Sequence, residues 1–185
     1  NGSIVSCEHG RRGISQTDIQ GNITLLVDRI DGKRFNSPND IVVKSDGTLW
    51  FTDPPYGITG DDEGYKSESQ VIGCYLYCFD PKDSSLRIAA CDLQRPNGLA
   101  FSPDEQLLYV ADMSIVDFPT LGRRQLRVYP VKGLQLEDGR VFAEITPGFP
   151  DGFCVDHIGN LFCSCADGVL IFTPQAVLLG KISVP

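Results

Sequence analysis

Apolar residues in this chain come in short runs rather than in long periodic stretches. Runs rich in Val, Ile, Leu, Phe and Tyr cover 41–43, 49–52, 71–79, 99–101, 107–111, 125–130, 153–155, 161–165 and 169–172. Gly, Pro, Asn and Asp punctuate the intervals between them. Runs of this length bounded by turn residues predict β-strands. No segment keeps a helical period for three turns. The pattern therefore predicts an all-β fold.

The chain also repeats itself. Residues 37–53 read SPNDIVVKSDGTLWFTD, residues 95–112 read RPNGLAFSPDEQLLYVAD, and residues 149–165 read FPDGFCVDHIGNLFCSC. Each copy runs Pro, then Asn or Asp, a strand, a tight turn and a second strand. The second copy has one extra turn residue. Residues 2–8 match the second half of a fourth copy, with Gly2 aligned to Gly47 and Gly159. Asn39 and Asn97 lie 58 positions apart, Asn97 and Asp151 54. Self-similarity near this period, with about four strands per unit, predicts a β-propeller with about four blades' worth of sequence. The chain begins in mid-hairpin and stops directly after a strand. The expectation is one propeller domain over 1–185, cut at both ends.

In a propeller, the residue just before each inner strand can face the central channel. Asn39, Asn97 and Asp151 share that position in three copies. Converging amide and carboxylate oxygens suit a hard divalent cation. Capping of the Pro-Asn and Pro-Asp turns is the plainer reading of the same residues and stays open. A second equivalent position holds Glu8, Asp53, Asp112 and Cys165. Asp112 is expected at a solvated rim. Asp53 opens the stiff sequence Asp53-Pro54-Pro55-Tyr56-Gly57, a candidate substrate wall or a plain rigid loop. His9 and His157 read as structural or surface residues, and Trp50 and the strand phenylalanines as core.

Charge and cysteine content narrow the function classes. The net charge is −8, from 24 acidic against 16 basic residues, with no basic stripe. Nucleic-acid binding is not expected. The longest apolar run is far shorter than the roughly 18 residues of a membrane-spanning helix. Seven cysteines, an odd number, lie mostly in apolar strand-like runs, where a thiol behaves as a small hydrophobe. Cys163 with Cys165, and Cys74 with Cys78, are each too close along one strand for easy bridging. A reducing compartment and a cytoplasmic location are expected. The chain has no initiator Met, which leaves a lost leader open. No nucleophile elbow, P-loop or dinucleotide fingerprint occurs.

The sequences RFNSPND at 34–40, FTDPPYG at 51–57, RPNGLAFSPD at 95–104, PDG at 150–152 and CEHG at 7–10 resemble the gluconolactonase, regucalcin (senescence marker protein) and luciferin-regenerating enzyme family. The resemblance runs in order along essentially the whole chain and looks closest to bacterial gluconolactonases. It implies a six-bladed propeller with one divalent metal in the channel, most often Ca²⁺, with Mg²⁺, Mn²⁺ or Zn²⁺ as alternatives. It implies that Asn97 and Asp151 are metal ligands, that Asp151 is also the general base or nucleophile, and that Asn39 contacts substrate or a metal-bound water. Asp53 and Tyr56 would form the wall of a sugar pocket. The family's first-blade Glu ligand has no counterpart here, and Ser37 stands where regucalcin has an arginine.

The activity implied is hydrolysis of a small-molecule sugar lactone such as gluconolactone, with the metal polarising the carbonyl and Asp151 taking a proton from water. A non-catalytic calcium-binding propeller or inactive fragment, and a phosphotriesterase-like hydrolase, are the alternatives. The sequence leaves oligomeric state open.

Overall fold

The computed structural model describes residues 2–184. These residues divide into two compact units, one up to Asp92 and one from Leu93 onward.

The first unit holds two antiparallel meanders. Strands β1 (Ile4–Glu8), β2 (Gly13–Thr17) and β3 (Ile23–Val27) pair in sequence order. A two-residue ladder, β4 (Arg29–Ile30) with β5 (Lys33–Arg34), links them to a four-stranded sheet. That sheet is β6 (Ile41–Val43), β7 (Leu49–Asp53), β8 (Tyr75–Asp80) and β9 (Ser85–Ala90). A single helical turn, α1 (Tyr56–Thr59), follows β7. The core of this unit is Ile14, Phe35, Leu49, Phe51, Tyr77 and Phe79. The rings of Phe35, Phe51 and Tyr77 pack together edge-to-face or tilted, with centroids 4.9–5.3 Å apart. Trp50 projects to the other face of β7, fully buried, and its indole N–H donates to Thr48 Oγ1 at 3.0 Å.

The second unit has the same construction. Strands β10 (Pro96–Phe101), β11 (Leu107–Asp112), β12 (Gln125–Lys132) and β14 (Arg140–Glu144) form one sheet, with the short β13 (Gln135–Leu136) hairpinned onto the end of β12. Strands β15 (Phe153–Val155), β16 (Leu161–Cys165), β17 (Gly168–Phe172) and β18 (Leu178–Ser183) form the next. Tyr109, Leu126, Phe142 and Ile145 from the first sheet and its flank pack with Leu161, Cys163 and Phe172 of the second. Four successive up-and-down meanders are the blades of the expected all-β propeller fold.

The aligned turn glycines share one conformation. Gly2, Gly47 and Gly159 have φ of 79°, 91° and 91°. Positive φ is strained for residues with a Cβ, which explains glycine in this slot. In the second copy Glu105 takes the left-handed position instead, at φ 55°. An Asp anchors each of these three inner turns: Asp46, Asp104 and Asp156 each accept the N–H two residues on through a carboxylate oxygen.

Two details differ from the sequence reading. The run 71–79 becomes a strand only at Tyr75. Val71 is buried, but Ile72 is exposed and the Gly73 carbonyl accepts from Asn36 Nδ2 at 3.1 Å, which holds this stretch out of the sheet. Asn97 lies within β10 rather than ahead of it, because Pro96 already pairs with Asp112 and an irregularity follows before Leu99. No helix among the described residues is long and apolar enough to cross a membrane. All seven cysteines are free.

Candidate active site

In the second unit two of the expected site residues meet through their backbones. The Gly98 N–H donates to the Asp151 carbonyl at 3.1 Å. A Cβ on residue 98 would sit 2.5 Å from that oxygen and 3.2 Å from Gly152 Cα. Only glycine permits this approach, which brings the Asn97-Gly98 and Asp151-Gly152 backbones together. Asp151 is tethered again from β16: its N–H donates to Ser164 Oγ at 3.1 Å, and the Ser164 N–H donates to Gly152 O at 3.1 Å. The Asp151 side chain is exposed, whereas Asn97 is buried. The Asn97 amide nitrogen donates to the Met113 sulfur at 2.8 Å.

Asp112 is a correction. It is fully buried rather than at a solvated rim. Its carboxylate accepts backbone N–H groups of Gln94 at 2.9 Å, Arg95 at 3.1 Å and Ser114 at 3.2 Å, and Arg123 Nη1 at 3.2 Å. A carboxylate so placed anchors the segment leading into β10, just ahead of Asn97.

Asp53 plays the same part in the first unit. It is fully buried, and its Oδ2 accepts the Asn36 N–H at 2.9 Å. Asn36 and Arg95 stand at the same spacing, 17 residues ahead of their aspartates. The side chain expected to form a substrate wall is thus closed off from solvent and acts through the segment it holds. Burial pushes its carboxyl up to about 7, against the pull of the Asn36 and Ser37 N–H groups and the Arg12 guanidinium. The third copy has Cys165 at this position, and the neighbouring Ser164 provides the tether.

Asn39, half-buried, occupies the corresponding place ahead of β6. Its N–H donates to Thr52 O at 2.9 Å, and the Thr52 N–H donates to Asp40 O at 3.0 Å. Tyr56 begins α1 and lines a hollow with Thr59, Gly60, Asp62 and Glu63. His9 Nδ1 lies 3.6 Å from Glu63 Oε2. Ser37 fixes the turn that carries Tyr56: its hydroxyl donates to Pro54 O at 2.6 Å and accepts the Gly57 N–H at 2.9 Å. Gly57 is pressed close, since a Cβ there would lie 2.6 Å from the His9 Cβ. Sequence reasoning missed Ser37, Gly57, Gly98, Met113 and Ser164. Only the glycines carried a signal, because a glycine next to a strand marks close approach.

Among the described residues no three or more His, Cys, Asp or Glu cluster as a metal site. The Asn97 and Asp151 pair nevertheless fits a hard divalent cation in donor type. Both supply oxygen, and the nitrogen end of the Asn97 amide is already taken by sulfur.

The profile of the SMP-30/Gluconolactonase/LRE-like region matches residues 1–185, and the chain belongs to that family. It is 36% identical to a gluconolactonase of Zymomonas mobilis, over 99% of this chain and 52% of that protein. It is 27% identical to the lactonohydrolase oryL of Aspergillus oryzae, over 93% and 43%. A solved gluconolactonase from Xanthomonas campestris superposes with a TM-score of 0.91 at 43% identity, covering 99% of this chain and 59% of that one. A calcium-binding regucalcin from Agrobacterium tumefaciens shares the fold, with a TM-score of 0.72 at 19% identity over 95% and 55%. The chain spans about half the length of the curated relatives it matches.

Proposed function

We propose that this chain is a lactone hydrolase acting on a sugar lactone such as gluconolactone, and that Asp151 is its general base. The observation that carries the reading is the close approach at Gly98, which apposes the Asn97 and Asp151 backbones in a chain 36% identical to a gluconolactonase. Asn97 and Asp151 would hold a divalent cation, with Ca²⁺ favoured by their oxygen donors. A bound cation supplies Lewis-acid polarisation of a carbonyl and stabilises negative charge on its oxygen.

The protein's own groups do the proton work. The exposed Asp151 carboxylate accepts a proton from the attacking water as its oxygen bonds to the lactone carbonyl carbon. The ring C–O bond then breaks, and the proton passes to the departing oxygen. The product is the open hydroxy acid. The two tethers on the Asp151 backbone limit its motion and hold the carboxylate for this step. By family resemblance, Asn39 orients substrate or a bound water. Tyr56 forms part of the sugar wall, on the turn that Ser37 fixes. Asp53 contributes through the Asn36 segment.

The test is a pH-stat assay of acid release from gluconolactone, repeated with a panel of lactones and phosphotriesters. The reading predicts lactone turnover that chelator abolishes and calcium restores. Turnover unaffected by excess chelator would remove the metal. Turnover of phosphotriesters alone, or calcium binding with no hydrolysis, would replace the activity.

A further inference from the structure

A buried polar atom without a partner is costly to keep. The first unit gathers three such atoms around one carboxyl. Asp53 Oδ1, Arg12 Nη2 and the Tyr77 hydroxyl are closed to solvent and make no hydrogen bond among the described residues. The two oxygens of Asp53 are therefore unlike, since Oδ2 accepts the Asn36 N–H at 2.9 Å and Oδ1 has no donor. A neutral acid tolerates this arrangement, with its proton on Oδ1. An ionised one leaves charge unpaired in the interior. Burial accordingly favours the neutral form and pushes the carboxyl up to about 7.

Arg12, from the turn between β1 and β2, is the cation that pulls against this burial. It is only 6% exposed. Its Nε donates to Phe35 O at 2.7 Å and its Nη1 to Ser67 Oγ at 2.9 Å. The other groups near Asp53 bring no compensating charge. Burial raises the Tyr77 hydroxyl on β8 and the Cys7 thiol on β1, Asp53 adds to both shifts, and both groups stay protonated. Tyr75 and Cys74 act on Tyr77, Asp40 adds a second negative charge near Cys7, and Arg34 on β5 adds its charge to that of Arg12.

Ser67 belongs to the connection 60–74 between α1 and β8. The same cluster holds this connection elsewhere. Ser69 Oγ donates to Asn36 Oδ1, and Asn36 Nδ2 donates to Gly73 O at 3.1 Å. Its first residues, Gly60, Asp62 and Glu63, line the hollow beside Tyr56. Its middle folds onto α1, with the Tyr65 N–H donating to Gly57 O at 3.0 Å and the Ser67 N–H to Ile58 O at 3.1 Å.

We propose that Asp53 is a proton-controlled latch on the connection 60–74: when its proton leaves to solvent, the carboxylate draws the Arg12 guanidinium off Ser67 and loosens the wall of the Tyr56 hollow. Arg12 thus serves Ser67 while Asp53 is neutral and Asp53 once it is ionised. The latch depends neither on a bound cation nor on lactone turnover.

The experiment pairs a ¹³C carboxyl titration of Asp53 with amide hydrogen exchange, the exchange rates corrected for their intrinsic pH dependence. A group titrating at about 7 loses its neutral fraction about tenfold between pH 6 and pH 8. Exchange of the Tyr65 and Ser67 amides should speed about tenfold over that range, from a protection below that of the β8 amides. In Asp53→Asn, which cannot ionise, both should exchange slowly at either pH. Ser67→Ala frees Arg12, so Asp53 should titrate about half to one pH unit lower there, the worth of one hydrogen bond. Ser67→Thr, which restores the hydroxyl, should return it to the wild-type value. This reciprocal effect on the titration is one that a purely structural Ser67 would not produce, and it needs no Asp53 variant to fold. Exchange at Tyr65 and Ser67 that is flat with pH, or no better separated from β8 than by unfolding of the whole sheet, overturns the proposal. So does an Asp53 titration that Ser67→Ala leaves unmoved.

Discussion

Replacing Gly98 with alanine tests how closely the two halves of the candidate site are built together. The added Cβ would sit 2.5 Å from Asp151 O, 3.2 Å from Gly152 Cα and 3.3 Å from Phe153 Cδ1. The first of these contacts is far below van der Waals separation, and its partner is backbone, which cannot rotate away. One strand must retreat from the other, and the 3.1 Å hydrogen bond from Gly98 N–H to Asp151 O stretches with it. Forced overpacking costs about 1–3 kcal/mol, and a lost hydrogen bond about 1 kcal/mol. The expected destabilisation is therefore about 2–4 kcal/mol by those same magnitudes. Urea unfolding should show a lower midpoint at unchanged slope. Calcium affinity and lactone turnover should fall further than stability explains, because retreat separates the Asn97 and Asp151 backbones. A Gly98→Ala protein with wild-type stability and wild-type calcium affinity would refute the reasoning.

Two further predictions concern the buried aspartates. Asp112→Ala strips the acceptor from three backbone N–H groups and from Arg123. Its urea midpoint should fall by the equivalent of about 2–4 kcal/mol, since Gln94, Arg95 and Arg123 regain only part of this from water. Asp53 should make stability depend on pH. Its folded carboxyl titrates at about 7, above the roughly 3.9 of an unfolded aspartate. The folded state therefore holds its proton more tightly, and the stability this gives is complete below about pH 4 and lost as pH rises through about 7. Between about pH 5 and about pH 8 the loss is about 2.5 kcal/mol. Urea midpoints of wild type should fall over that range relative to those of Asp53→Asn, and parallel profiles would show that Asp53 is ionised throughout.

The second strands of the first two copies, Leu49–Asp53 and Leu107–Asp112, were legible in sequence because they are buried on both faces. Every residue of Leu49–Asp53 is buried, and its first three residues, Leu49, Trp50 and Phe51, form an unbroken apolar run. The outer strands were not. Leu178–Ser183 is mostly exposed and mixes Gly, Lys and Ser with its apolar residues, which blurs the signal, whereas Ile23–Val27 is an apolar run with one Thr that meets the same criterion and was passed over. The repeat located Asn39, Asn97 and Asp151, since a recurring polar residue ahead of a strand stands out in register. It could not tell which way Asp53 and Asp112 face. An acidic residue ending a strand looks the same whether it meets solvent or collects backbone N–H groups 17 residues back.

The central claim is that Asp151 takes the proton in lactone hydrolysis, and Asp151→Asn tests it most directly. The substitution keeps size and backbone tethers and removes the base. With gluconolactone and calcium present, kcat should drop about 10²–10⁴-fold, while Asp156→Asn, whose carboxylate serves only a hairpin turn, should retain wild-type turnover. Full activity in a folded Asp151→Asn protein would contradict the account.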